Sequence, residues 1–185
     1  AYRQLLDGIN SLKSRPNILA LTATATPAVQ DDICEQLNIP KENMIVTSFA
    51  RPNISFKVVN SPQNTPLYIS EYIKAHQDKA GIIYTNTRKK VESLTDYLAK
   101  KGISVGAYHG GMDSSERSQV QEAFQFDEFQ VIVATNAFGM GIDKSNVRFV
   151  IHASSARNME SYYQEAGRAG RDGEESEAIL IYHPG

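Results

Sequence analysis

The sequence predicts an α/β fold, a parallel sheet with helices on both faces. Three observations predict it. From about residue 81, short apolar runs alternate with segments of helical periodicity. Runs such as Val131-Ile132-Val133-Ala134 are continuously apolar, as strands buried on both faces must be. Capping and turn residues separate each run from the next, which is the signature of repeated βαβ units. In such sheets, ligands sit at the carboxyl ends of strands.

Taken in order, Ile18-Leu19-Ala20-Leu21 is a strand candidate running into Thr22-Ala23-Thr24-Ala25-Thr26. Pro27 suits the first position of a helix capped by Thr26, with Asp31 and Asp32 near its start and an end by Leu37-Asn38. Met44 to Phe49 reads as another strand. Arg51-Pro52-Asn53 and Ser61-Pro62-Gln63-Asn64-Thr65-Pro66 are both interrupted by proline, so residues 51–66 are predicted to be a linker. The piece upstream, 1–50, has too few elements for a layered domain of its own and reads as the tail of something larger.

Gly81-Ile82-Ile83-Tyr84 opens the regular part as a strand, and Thr85-Asn86-Thr87 supplies helix-capping residues. Val91, Leu94 and Leu98 then recur at helical spacing until Gly102. Ile103 to Tyr108 reads as a strand and His109-Gly110-Gly111 as a tight turn. Asp113 with Glu116 resembles a capping box, opening a helix whose apolar face includes Val120, Ala123 and Phe124. Val131–Ala134, Val147–Ile151 and Ala178–Tyr182 are the remaining strands, and Asn158 caps a helix running through Tyr163.

Composition narrows the class. The chain has 185 residues, 41% hydrophobic and 22% charged, which suits one well-buried domain or one plus part of a second. No apolar stretch approaches the ~18 residues of a transmembrane helix, and Ala1-Tyr2-Arg3-Gln4 is not the start of a secretory signal. Cys34 is the single cysteine, so neither an internal disulfide nor a multi-thiolate zinc site can form. Histidines 76, 109, 152 and 183 lack ligand spacing, and no metal site is predicted. These features favour the cytoplasm. A net charge of −2 gives no overall field toward nucleic acid, so any such binding must come from local patches such as Arg88-Lys89-Lys90 and Lys100-Lys101.

The most informative stretch is Tyr162-Tyr163-Gln164-Glu165-Ala166-Gly167-Arg168-Ala169-Gly170-Arg171-Asp172-Gly173. Guanidinium groups stay charged at all working pH values and present a planar fork of donors matched to phosphate oxygens. Glycines 167, 170 and 173 let a polyphosphate or another domain approach the backbone. The pattern suits an arginine finger, which stabilises charge on a transferring phosphoryl group. The same residues also suit capping and macrodipole pairing at a helix C-terminus. The chain contains no Gly-x-x-x-x-Gly-Lys-Ser/Thr loop. Gly139-Met140-Gly141-Ile142-Asp143-Lys144-Ser145 comes near, but Asp143 would set a carboxylate against the phosphates.

Strung together, these segments resemble the motif ladder of superfamily 2 helicases, and most closely the RecQ family of ATP-dependent DNA helicases. Leu21–Ala25 resembles motif III, Gly81–Arg88 motif IV, and Ala107–Met112 the family's following strand and turn. Val133–Lys144 resembles motif V and Tyr162–Gly173 motif VI. The resemblance implies a RecA-like fold: the end of a first RecA-like domain over 1–50, a linker over 51–66 and a complete second domain over 67–185. It implies that Arg171 is the main finger, with Arg168 and Gln164 supporting it; four residues apart on a helix, the latter two would share a face. Gly139, Gly141 and Asp143 would line the interdomain cleft on the nucleotide side, Asp143 alternatively capping a turn.

Asn86, Arg88, His109, Thr135 and Asn136 are the implied nucleic-acid contacts. Helix capping or ordinary surface charge is the competing reading for Asn86, Arg88 and His109. Thr22 and Thr24 would couple hydrolysis to strand movement, or simply end a strand and cap a helix. The implied cofactors are ATP and Mg²⁺, held mainly by the first domain, with zinc only in a downstream module. The implied partners are single-stranded and duplex DNA and the first RecA-like domain, with no membrane. The implied activity is 3′-to-5′ DNA unwinding by the whole protein, in the bacterial cytoplasm or a nucleus; the fragment alone would be inactive. The alternatives are a DEAD-box RNA helicase domain and a non-catalytic nucleic-acid-binding module.

Overall fold

The computed structural model describes residues 5–22, 25–46, 50–60, 62–138 and 144–183. They fall into two compact units, 1–50 and 51–185. No described helix is long and apolar enough to cross a membrane.

The first unit holds α1 (Leu5–Asn10), α2 (Pro27–Gln36) and a 3₁₀ turn at Lys41–Asn43. Thr26 stands at the N-cap of α2 in extended conformation and Pro27 begins the helix, although the threonine hydroxyl bonds no backbone N–H. Cys34 and Leu37 are buried, and the Ile39 N–H closes the helix end on Cys34 O at 2.8 Å. The two strands expected in this unit are not formed among its described residues. Ile18–Leu21 and Met44–Val46 are irregular, and Leu19, Leu21 and Ile45 are 82%, 84% and 90% exposed. A strand exists only through ladder bonds to a neighbour, and the described residues of this unit provide none. Residues 47–49 of the second expected strand lie outside the described residues.

The second unit is a six-stranded, all-parallel sheet in the order β1-β6-β5-β2-β4-β3. Its elements are β1 (Ile54–Asn60), α3 (Thr65–Ala75), β2 (Ala80–Tyr84), α4 (Arg88–Lys100), β3 (Val105–Tyr108), α5 (Ser114–Gln125), β4 (Val131–Ala134), β5 (Val147–His152), α6 (Met159–Ala166) and β6 (Ser176–Tyr182). The expected linker over 51–66 is therefore corrected: β1 fills most of it, pairing with β6 from Ile54↔Ser176 to Asn60↔Tyr182. Its prolines bracket the strand without breaking it, and Pro66 sits in the first turn of α3 behind an Asn64 cap. β1 lies at the sheet edge with only Ile54 buried, so the sequence lacks the apolar run that marks the central strands.

Alternation along the strands divides the core. Ile83, Val131, Val133, Phe149 and Ile151 face one side with Ile69 and Ile73 of α3 and Val91, Leu94 and Leu98 of α4. Ile82, Ile132, Ala134 and Val150 face the other with Phe124 of α5 and Ala166 of α6. The caps form as the sequence predicts. Thr87 accepts from Lys90 N, Asp113 and Glu116 make both halves of a capping box, and Asn158 accepts from Ser161 N. Gly102 follows α4 with φ +79°, a conformation that suits glycine.

Gly81 shows how closely the central strands pack. A Cβ there would stand 2.0 Å from the Phe149 ring. Gly81→Ala is expected to lower unfolding stability by about 1–3 kcal/mol through overpacking. The shift should be measurable as a fall in the denaturant midpoint, and an unchanged midpoint would contradict this packing.

Candidate functional site

A parallel sheet has two chemically distinct rims, and the candidate residues divide between them. At the carboxyl rim, Asn86 follows β2, His109 follows β3, and Thr135 and Asn136 follow β4. The Thr135 N–H donates to Tyr108 O at 3.1 Å, which ties the last two loops together. Arg88, the exposed first residue of α4, lies against the glycine turn after β3: a Cβ on Gly111 would be 2.9 Å from its Nη1. A small cleft beside these loops is lined by Asn86, Asn136, Ser154, Ser155, Arg157 and Ser161. Hydroxyls, amides and guanidinium groups of this kind suit phosphate oxygens.

His109 differs from the others. It is buried, its Nδ1 accepts from Gly111 N at 3.2 Å, and its Nε2 faces Glu92 Oε1 at 3.3 Å. Both ring nitrogens thus shape the turn. Lys144, the last residue of motif V, is likewise turned inward, paired with Asp127 at 2.6 Å. Gly139, Gly141, Asp143 and Thr24 lie outside the described residues. Thr22 is exposed and in neither helix nor strand.

The arginine loop occupies the amino rim instead. α6 runs back across the sheet from β5 and ends at Ala166, after which residues 167–173 form turns. The Gly170 N–H donates to Val147 O, at the start of β5, at 2.8 Å. Arg148 pairs with Asp172 and reaches Ser176 Oγ at 3.2 Å. Arg171 is exposed and Arg168 half-buried. The shared helix face expected for Gln164 and Arg168 is corrected, because the helix stops between them. Gln164 stays on α6, exposed and 3.5 Å from Glu160 Oε1, whereas Arg168 closes a tighter turn through its N–H to Glu165 O at 3.2 Å.

Buried polar groups connect the two rims. His152 Nε2 meets Glu165 Oε2 at 2.7 Å, with almost no exposure of the histidine. Tyr84 stacks on His152 at 5.3 Å and donates to Phe138 O at 3.0 Å. Burial pushes the Tyr84 phenol well above its ordinary range, while the Arg168 guanidinium hydrogen-bonded to it, and Arg171 farther off, pull the other way. Tyr84, His152 and Glu165 were not singled out from the sequence, nor were Arg51 and Asn53, whose side chains hold the loop backbone. Glu165 lies within the motif VI stretch and Tyr84 within motif IV, so position was the one available signal. None existed for the others.

Among the described residues, no group of three His, Cys, Asp or Glu side chains is placed to hold a metal ion.

A family model described as the helicase conserved C-terminal domain matches residues 65–173, more than half of the chain. The chain belongs to this helicase C-terminal domain family, in its RecQ branch. It is 52% identical over 184 residues to the ATP-dependent DNA helicase RecQ of Bacillus subtilis (strain 168), covering all of this chain and 31% of that protein. It is 46% identical over 168 residues to the RecQ-like DNA helicase BLM of Xenopus laevis, covering 89% and 12%. A structure of Dbp5 from S. cerevisiae bound to Gle1 and IP6 superposes with a TM-score of 0.80 at 21% identity, over 99% of this chain and 48% of that one. At that identity it shows the fold alone, which is RecA-like. The identities to RecQ relatives favour the RecQ reading over the DEAD-box alternative. The chain spans less than a third of the length of the RecQ relatives it matches.

The His152–Glu165 pair of this RecQ-type domain carries a stability prediction. Glu165→Ala leaves a buried imidazole nitrogen without its hydrogen-bond partner and should cost about 1–3 kcal/mol. Replacing both residues by apolar side chains of similar size should recover most of the loss. Equal denaturant midpoints for Glu165→Ala and the unsubstituted protein would refute the pairing.

Proposed function

We propose that this chain is the second motor domain of an ATP-dependent 3′-to-5′ DNA helicase, together with the end of the first. The observation carrying the proposal is the division of the site: phosphate-matching groups on one rim, an exposed arginine on the other, and a buried polar path between them. A domain that grips a nucleic-acid strand and also completes a nucleotide site needs two such surfaces. The printed names of the RecQ relatives, ATP-dependent DNA helicases, support the choice of ATP and DNA.

The nucleotide triphosphate fits what the arginine loop offers, a donor fork in a glycine-flanked turn. ATP, when bound by the first domain with Mg²⁺, supplies the phosphoryl group whose transfer drives the motor. The chain's own part is electrostatic. Arg171 presents its fork toward charge developing on the γ-phosphoryl oxygens, and Arg168, buttressed by Tyr84, supports it. On the other rim, Asn86, Arg88, Thr135 and Asn136 hold strand phosphates, with His109 shaping the turn beneath Arg88. Contacts of this kind track the backbone and read little sequence. By this reading the chain alone neither hydrolyses ATP nor unwinds DNA, and the whole protein works where DNA is, in a bacterial nucleoid or a nucleus.

In the full-length protein, Arg171→Ala should leave ATP affinity nearly unchanged while DNA-stimulated turnover falls ~10³-fold or more. Undiminished ATPase activity in that variant would end the proposal. Assaying DNA and RNA duplexes side by side separates this reading from an RNA helicase. Arg88→Ala should weaken single-stranded DNA binding alike for all sequences and lower the slope of log affinity against log salt by about 1. A change in sequence preference with an unchanged slope would place Arg88 away from the phosphates.

A further inference from the structure

Arg51 and Asn53, within the stretch predicted to be a linker, together make five long-range side-chain hydrogen bonds to backbone carbonyls between Gly167 and Glu174. Arg51 Nη1 donates to Gly167 O at 3.0 Å, and Nη2 donates to Ala169 O at 3.0 Å and Gly170 O at 2.8 Å. Asn53 Nδ2 donates to Gly170 O at 2.8 Å and Glu174 O at 3.0 Å, and its own carbonyl accepts the Ser176 N–H at 2.9 Å. The carbonyls flanking Arg168 and the one preceding Arg171 are therefore all fastened by a neighbouring segment. Donation from a charged group makes the three arginine bonds stronger than neutral ones. A lysine could not reproduce them, because an ammonium lacks the planar fork.

The loop is shaped to receive this contact. Gly170 has φ +58°, and a Cβ there would stand 2.5 Å from Asn53 Nδ2 and 2.7 Å from Glu174 O. Helix α6 ends at Ala166, just before these carbonyls, and the chain passes into turns in which the Arg168 N–H bonds Glu165 O at 3.2 Å. Arg51 is also the first residue of the second unit. The chain leaving the first unit thus enters the second at the residue that grips the arginine loop.

We propose that Arg51 and Asn53 are positioning residues for the phosphoryl-transfer arginine, clamping the Gly167–Gly170 backbone so that Arg171 is presented in its working geometry. The inference rests on the motor reading above. A misplacement of about 1 Å in a reacting assembly costs up to ~10²-fold in rate. In the full-length protein, Arg51→Ala and Asn53→Ala should therefore lower the kcat of DNA-stimulated ATP hydrolysis ~10- to 100-fold. The KM for ATP and the affinity for single-stranded DNA should stay within about twofold, since the clamp touches neither ligand. Arg51→Lys should regain thermal stability without regaining turnover.

Arg171→Ala is run beside them. Normal turnover in Arg171→Ala sinks the motor reading itself. Impaired Arg171→Ala with normal kcat in both clamp variants sinks only the clamp. So does full activity in Arg51→Lys, which would reduce Arg51 to a charge, or a parallel loss of thermal stability, DNA affinity and kcat, which would make its role structural. If Arg51→Ala does not fold, Asn53→Ala decides alone.

Discussion

Everything in the second unit follows from running six strands in one direction. Parallel neighbours cannot be joined by short hairpins, so each connection must cross back over a face of the sheet. Those crossings put α3 and α4 on one side and α5 and α6 on the other, and bury the central strands twice over. They also sort the connections into two kinds. Loops leaving strands gather at the carboxyl rim, and loops entering strands gather at the amino rim. The candidate site inherits that division: its amide and hydroxyl contacts belong to the first kind, and its arginine loop to the second.

Such a division would leave two unrelated surfaces if the core between them were purely apolar. It is not. Tyr84, His152 and Glu165 place polar atoms deep against α6, where each must find a partner or forfeit its hydration. Glu165 partners His152 Nε2, and Phe138 O and Arg168 partner the Tyr84 hydroxyl, while His152 Nδ1 is buried without a hydrogen bond. A rotation of α6 would therefore break the buried His152–Glu165 hydrogen bond and disturb the contact between Arg168 and Tyr84. Apolar packing tolerates small slides better than hydrogen bonds do, because dispersion has little directionality. The network consequently favours discrete positions of the helix over continuous ones.

How legible was this in the sequence? The central strands, the caps at Thr87, Asp113 and Asn158, and the order of motifs were readable because each depends on residues close together in the chain. A continuous apolar run or a threonine three residues ahead of a helix turn needs no distant information. The failures share the opposite property. β1 is an edge strand whose outward side chains are exposed, so composition there reflects solvent; prolines at 52 and 62 mark its ends but read as a linker. The apolar residues at 18–21 and 44–46 have strand-like composition, yet strand formation depends on neighbours that the first unit's described residues do not contain. The helix expected to carry Gln164 and Arg168 together ends one residue before Gly167, where the loop backbone bonds instead to Arg51 and Asn53 more than a hundred residues away.

That last case shows why arginine spacing alone could not define the site. Arg51, Arg148, Arg168 and Arg171 all lie near the amino rim, and their spacing in the chain, apart from the resemblance to motif VI, offers no ranking among them. Their partners do. Arg148 is committed to Asp172 and Ser176, Arg51 to three backbone carbonyls, and Arg168 to the buried phenol of Tyr84. Arg171 is the exposed member of the set. Guanidinium groups bonded within the protein hold the loop backbone still, and on the motor reading proposed above the exposed Arg171 is thereby oriented toward an anion. A cluster of four exposed arginines would attract phosphate as strongly, but it would bind without orienting, and orientation is where the rate is gained.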